Sequence, residues 1–221
     1  MRGRLDASLR RLGTDHVGLY YLHRLNKDVA VEDVAGAMGR LIDEGLIGGW
    51  GLSQVGVPTI SRAQAVTPLS AIQNIYSMVE RDVEAEVIPY CAEHRIGLVA
   101  FSPVASGLLS GKVTPATQFE KNDDVRNWVP QLSRENLAAN QPLVDLLAEF
   151  SAAKGCTSAQ LYLAWMLHKN ANVVPIPGSK NKGRILEGLG SAEVELTEDE
   201  FTRLEMALAG VTVYGHRGFA N

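Results

Sequence analysis

Cysteine is scarce in this chain: Cys91 and Cys156 are the only two in 221 residues. A scaffold built on disulfides is not indicated, and nothing has the spacing of a metal site. Both thiols fall in helical patterns, where their expected role is that of a small buried apolar residue. Long apolar runs are missing too. No stretch approaches the roughly 20 residues that span a bilayer, and Met1-Arg2-Gly3 leads into no signal-peptide core. A cytoplasmic location with no membrane association is expected. There is no excess of basic charge, since 21 Lys and Arg stand against 25 Asp and Glu for a net charge of -4. Such a field repels a phosphate backbone, so no nucleic-acid partner is expected.

What is present is a hydrophobic content of 46%, ample for a core. It is distributed as short β-branched and aromatic runs alternating with segments of helical period. Strands are predicted over 17–22, 47–52, 71–76, 96–101 and 172–177. The first three spacings equal one strand-helix unit, so neighbouring strands should run parallel. Asp33 to Glu44 puts Val34, Met38, Leu41 and Ile42 on one stripe and stops at Gly45. Ala7 to Leu12, closed by Gly13, reads as the end of a helix. Two more helical patterns cover Leu137 to Lys154 and Ser158 to Lys169, the second with an apolar face of Leu161, Trp165 and Leu167. Thr197 to Glu200 is a capping box for a last helix. The polar stretch from Thr114 to Arg134 is expected to be a long surface loop.

Parallel strands joined by helices build either an open doubly wound sheet or part of an eight-stranded barrel. The glycine-rich turn of dinucleotide-binding open sheets is absent: Gly49-Trp50-Gly51 lacks the third glycine, and Gly188-Leu189-Gly190 follows a helix. Gly107 to Lys112 is no phosphate loop either, because Ser106 replaces the first glycine and Val113 the hydroxyl residue. Polar groups collect instead at the carboxyl ends of all five strands: His23, Ser53-Gln54, Gln73 with Tyr76, Ser102-Pro103 and Gly178-Ser179-Lys180. In a strand-helix barrel that rim is the active face.

Five runs in order carry a resemblance. They are Tyr20-Tyr21-Leu22-His23, Gly51-Leu52-Ser53, Gln73-Asn74-Ile75-Tyr76-Ser77, Phe101-Ser102-Pro103-Val104 with Gly107 to Lys112, and Ile176-Pro177-Gly178-Ser179-Lys180. Together they resemble the aldo-keto reductase family, from its fourth strand to its last helix. The resemblance implies a (β/α)8 TIM barrel, here incomplete, with about five strands in a single partial domain over 1–221. Only sixteen residues precede Val17. The expectation is therefore self-association or a missing N-terminal segment, because five strands cannot close a barrel.

The same resemblance implies hydride transfer between NADP(H) and a small-molecule carbonyl or alcohol. Of the family's Asp, Tyr, Lys and His tetrad, only His23 has a counterpart, and it would orient the substrate carbonyl. Tyr76 would stack on the nicotinamide while Ser53, Gln54 and Gln73 hold its carboxamide, Gln54 departing from the usual asparagine. Ser102, Pro103, Val104, Gly107, Ser110 and Lys112 would lie along the pyrophosphate, where small residues and free backbone N–H groups suit an anion. Gly178 opens the next cofactor-binding segment, in which Ser179, Lys180 and Arg184 would take the 2′-phosphate, which favours NADP over NAD, and Glu187 the adenine. Gly188 stands where the family has an asparagine. Phe119, Trp128, Tyr214, His216 and Phe219 are candidates to line a substrate pocket. A cofactor-holding module without turnover, like the potassium-channel β-subunits, and an inactive interaction protein are the alternatives.

Overall fold

A computed structural model describes residues 1–119 and 124–217. The elements follow in the order α1 (Arg2–Leu12), β1 (Tyr20–Leu22), α2 (Val31–Asp43), β2 (Trp50–Ser53), α3 (Val57–Gln64), β3 (Ala71–Ile75), α4 (Val87–Glu93) and β4 (Gly97–Phe101). After a 3-10 turn at Ala105–Ser110 come α5 (Arg134–Ala139), α6 (Gln141–Lys154), α7 (Ser158–Lys169), β5 (Val173–Pro175), α8 (Lys182–Leu189) and α9 (Glu198–Ala209). The strands form one sheet in the order β1-β2-β3-β4-β5, parallel as the spacing predicts. All five predicted strands are present with altered bounds: β1, β3, β4 and β5 are shorter than predicted, while β2 starts later and runs one residue further, to Ser53. Val17, for example, makes only an isolated parallel bridge with Ile47.

The chain divides into two compact units, one of Met1–Asn74 with Glu84–Val99 and the other of the described residues of Ile75–Val83 and Ala100–Gly218. In the first, α2 buries Val31, Val34, Ala35, Met38 and Leu41, the predicted stripe with Ile42 left half-buried. Gly45 ends it in the left-handed region at φ 72. Every residue of β2 is buried, as a strand covered on both faces requires. Trp50 is fully buried and donates its indole N–H to the Thr67 carbonyl at 3.3 Å. Gly51 has no alternative: a Cβ there would stand 2.4 Å from Cε1 of Tyr21 and 2.5 Å from the Ala71 carbonyl oxygen. Buried Asn74 accepts from Val55 N at 3.2 Å and donates to Val55 O at 3.0 Å, which fixes the turn after β2.

In the second unit α7 is the central helix, buried from Leu161 through Met166. Capping boxes start it at Thr157 with Gln160, and start α9 at Thr197 with Glu200. Trp165 is fully buried, its ring 5.8 Å from that of Tyr76. Its indole N–H donates to Glu205 of α9 at 2.8 Å, and the same carboxylate accepts from Arg81 at 3.1 and 2.8 Å and from Lys169. Burial alone would raise the Glu205 pKa; those donors outweigh it and hold it at about 2.

Three expectations are corrected. The single helix read over Leu137 to Lys154 is two, because Pro142 forbids a continuous helical ladder. Asn140 occupies the break, fully buried, accepting from Tyr214 N at 2.9 Å and donating to Tyr214 O at 3.0 Å. Leu167 does not belong to the buried face of α7 but is 38% exposed. Cys156 is not helical: it follows Gly155, the left-handed cap of α6, while Cys91 lies buried in α4 with its thiol pushed up to about 12. In the Thr114 to Arg134 stretch, the described residues hold two short 3-10 turns, Val125–Trp128 and Pro130–Leu132.

Candidate functional site

In the first unit the carboxyl ends of β1, β2 and β3 hold His23, Ser53, Gln54 and Gln73. His23 is exposed just past β1. Arg24, which sequence reasoning passed over, donates from one nitrogen to His23 O at 2.6 Å and to Ser53 Oγ at 3.0 Å, tying the end of β1 to that of β2. Ser53 is 4% exposed, and its hydroxyl acts as acceptor in that contact. Gln54 lies at φ 55, and its N–H donates to Gln73 O at 3.0 Å. A residue forced into the left-handed region at a strand end is a cost the fold retains where the turn is needed.

Beside Gln73 lies Tyr21. Its hydroxyl is shut off from solvent with no partner at hydrogen-bond geometry. Burial raises the phenol pKa, and the nearby Gln73 side chain partly offsets this. Tyr21→Phe removes an unsatisfied oxygen at no cost in shape. The expected result in urea denaturation is unchanged stability or a gain of up to about 1 kcal/mol.

In the second unit, Tyr76 is fully buried, with its hydroxyl accepting from Asn170 at 3.2 Å. The ring face that the resemblance reserves for a nicotinamide is covered, and Tyr76 packs here as a core residue. Ser102, Ala105, Ser106, Gly107 and Gly111 all have positive φ, so the segment after β4 coils tightly. Ser110 Oγ donates to Gly107 O at 2.6 Å and accepts from Lys112 N at 3.2 Å. The expectation of free backbone donors needs amendment, because the amides of Ala105, Gly107 and Gly111 also bond within the loop, to Ser102, Val104 and Leu108. Pro103 is buried and Val104 half-buried.

After β5, Gly178 is exposed and Ser179 Oγ accepts from Asn181 N at 3.1 Å. Asn181 caps α8 by accepting from Arg184 N at 3.1 Å, so Lys180 and Arg184 sit around that helix start, both exposed. Glu187 faces Lys112 at 3.9 Å. The structure thus brings the Ser102 to Lys112 loop and the Gly178 to Glu187 segment together. Two residues missed from sequence join them. Asp124 lies in the field of Lys180, its carboxyl held low first by Arg126 and then by that lysine. Arg217 donates to Ser102 Oγ at 3.2 Å.

The aromatics expected to line a substrate pocket differ in exposure and contacts. Trp128 is 79% exposed, Phe119 lies under the Arg126 guanidinium at 4.6 Å, Tyr214 is half exposed, and Phe219 lies outside the described residues. The cleft of about 300 Å³ lined by Phe150, Leu161, Leu196 and Leu204 shares no residue with the predicted site. No group of His, Cys, Asp and Glu among the described residues is placed to hold a metal ion, and no helix there is long and apolar enough to cross a membrane.

A parallel α/β sheet with polar groups at the carboxyl ends of its strands defines a protein of the strand-helix barrel class. The chain belongs to the aldo/keto reductase family, whose profile matches residues 1–209. Solved structures agree in fold. The glycerol dehydrogenase of Gluconobacter oxydans superposes with a TM-score of 0.88 at 24% identity, covering 100% of this chain and 67% of its own. A thermostable aldo-keto reductase in complex with epalrestat gives 0.71 at 26% identity, over 92% of this chain and 64% of its own. An aldo/keto reductase from Klebsiella pneumoniae, in complex with NADP and acetate, gives 0.71 at 23% identity, over 98% and 66%. The chain spans about two thirds of the length of the solved structures it matches.

Proposed function

We propose that this chain binds NADP(H) and serves an oxidoreductase that moves hydride between the nicotinamide and a small carbonyl compound or alcohol. The observation that carries the reading is the approach of Lys112 to Glu187 at 3.9 Å, which links the tightly coiled loop after β4 to α8, the helix that follows Lys180 and carries Arg184. Ser102, Gly107 and Ser110 suit the pyrophosphate, since a Cβ at Gly107 would already stand 3.0 Å from Val113 and would need φ 103. Ser179, Lys180 and Arg184 suit a 2′-phosphate by charge and by their place at a capped helix start. When bound, the dinucleotide would supply the hydride. His23 would hydrogen-bond the substrate oxygen, and Ser53, Gln54 and Gln73 the carboxamide. The aldo/keto reductase from Klebsiella pneumoniae in complex with NADP and acetate supports the choice of cofactor within the family.

The deciding experiment is a fluorescence titration of the full chain with NADPH and NADH. Lys180→Glu with Arg184→Glu is expected to weaken NADPH by at least about a hundredfold, as two charge-assisted contacts of roughly 1.5 kcal/mol each predict. NADH should change little. Equal losses for both, or no saturation of the unaltered chain by NADPH, would defeat the reading.

One observation favours a second reading, a cofactor-holding module without turnover: no Asp, Tyr or Lys here fits the remaining tetrad motifs. It predicts NADPH binding with no oxidation of NADPH by aromatic aldehydes. Aldehyde-dependent loss of NADPH absorbance would exclude it.

A further inference from the structure

The last described residues of the chain converge on the loop that carries Ser102. Glu80 is a carboxylate 3% exposed in the segment after β3. Its Oε1 accepts from Gln131 Nε2 at 2.7 Å and from the backbone N–H of Arg217 at 2.7 Å. Its Oε2 lies 2.9 Å from Nδ1 of His216, whose other ring nitrogen lies 3.0 Å from Asp82 Oδ2. The imidazole is therefore clamped between two carboxylates. Arg81, the cation between them in sequence, is turned to Glu205 instead. This clamp fixes the backbone at 216–217 and sends the Arg217 side chain to Ser102 Oγ at 3.2 Å.

We propose that Arg217, held in place by His216 and Glu80, joins Ser102 in binding the pyrophosphate of the dinucleotide. The inference rests on the cofactor reading above. A guanidinium is the side chain best suited to a phosphoryl oxygen, because its fixed fork of donors matches that geometry and its charge persists at every relevant pH. Ser102 stands at φ 53 at the head of the coiled loop. One hydroxyl thus marks both the loop and the guanidinium, and an anion resting there meets both.

His216 is the positioning residue, and its chemistry makes the contact depend on pH. Burial would lower its pKa, but the hydrogen bond it donates to Asp82 and the charges of Glu80 and Asp82 outweigh this and raise it above the ordinary 6.5. A raised histidine pKa means that the clamp is fully formed below about 6.5 and is lost as the pH climbs through the raised value. Affinity for a pyrophosphate should fall over the same interval.

The test compares two probes on the full chain by calorimetry: ADP-ribose, which carries the pyrophosphate, and 2′-AMP, which does not. Arg217→Ala should weaken ADP-ribose by about tenfold, the value of one charge-assisted contact, and leave 2′-AMP unchanged. Arg217→Lys should recover part of the loss, and unaltered 2′-AMP binding shows that the variants are folded. His216→Gln should abolish the pH dependence of ADP-ribose affinity above about pH 6.5, where that of the unaltered chain falls with rising pH. Retention of full ADP-ribose affinity by Arg217→Ala, equal loss for both probes, or the same pH profile in His216→Gln would each overturn the proposal while NADPH binding still stood. Failure of the unaltered chain to bind NADPH would remove the cofactor reading and this inference with it.

Discussion

Replacing Glu205 with alanine is expected to lower stability by about 3 kcal/mol, among the largest effects of any surface-reaching substitution here. The carboxylate, with 23% of its side chain exposed, gathers donors from three side chains: Arg81 after β3, and Trp165 and Lys169 on α7. Its loss strips a counter-charge from two cations that are themselves no more than 30% exposed, and leaves the buried indole N–H of Trp165 without its acceptor. Those cations also lie over the Trp165 ring at 5.3 and 5.5 Å, so their displacement loosens packing as well as charge. Urea denaturation followed by tryptophan fluorescence measures the loss, and Glu205→Gln should recover about a third of it by restoring a single acceptor. Acid provides an independent check. Since the folded pKa is depressed from 4.5 to about 2, the carboxylate's contribution is present above 4.5 and disappears as pH falls toward 2. The alanine variant should lack that portion of the acid transition. An alanine variant within about 0.5 kcal/mol of the unaltered chain would show the network to be ornamental.

Gly51→Ala is expected to cost about 3 kcal/mol or more, for steric reasons alone. The new methyl would face Tyr21 at 2.4 and 2.7 Å and the Ala71 carbonyl at 2.5 Å. The ring can swing aside. The carbonyl cannot, because it belongs to β3, which pairs with β2 in register Gly51 to Ala71. Combining Gly51→Ala with Tyr21→Ala should therefore relieve only part of the strain, giving a coupling energy of about 1 kcal/mol in a double-mutant cycle. Complete relief would mean that the ring alone dictates glycine here; no relief would assign the whole effect to the strand pairing.

How far the chain could be read in advance depended on the range of each interaction. Strands showed because Val17 to Leu22 and Ile96 to Phe101 are runs of apolar, β-branched and aromatic residues, and the helix starts at Thr157 and Thr197 showed because a capping box is complete within four positions. The break at Asn140 was concealed by the apolar period continuing across it, although Pro142 was the available signal. Contacts with no local trace escaped altogether. Arg81 meets Glu205 across 124 residues, and His216 meets Asp82 across 134. Pattern placed Ser102, Gly107 and Lys180 on the rim. It could not show that Ser53 accepts from Arg24 or that the Tyr76 ring is buried, since both depend on side-chain packing.

Asn140 grips Tyr214 through its main chain only, one amide serving as donor and acceptor at once, much as an adjoining strand would. Such a grip is blind to what the tyrosine carries. Position 214 could change its side chain freely, and so alter whatever it faces, while the trajectory of the terminus toward Ser102 is preserved. Anchorage is thereby assigned to main-chain atoms alone, which leaves the side chain open to variation without loss of the hold.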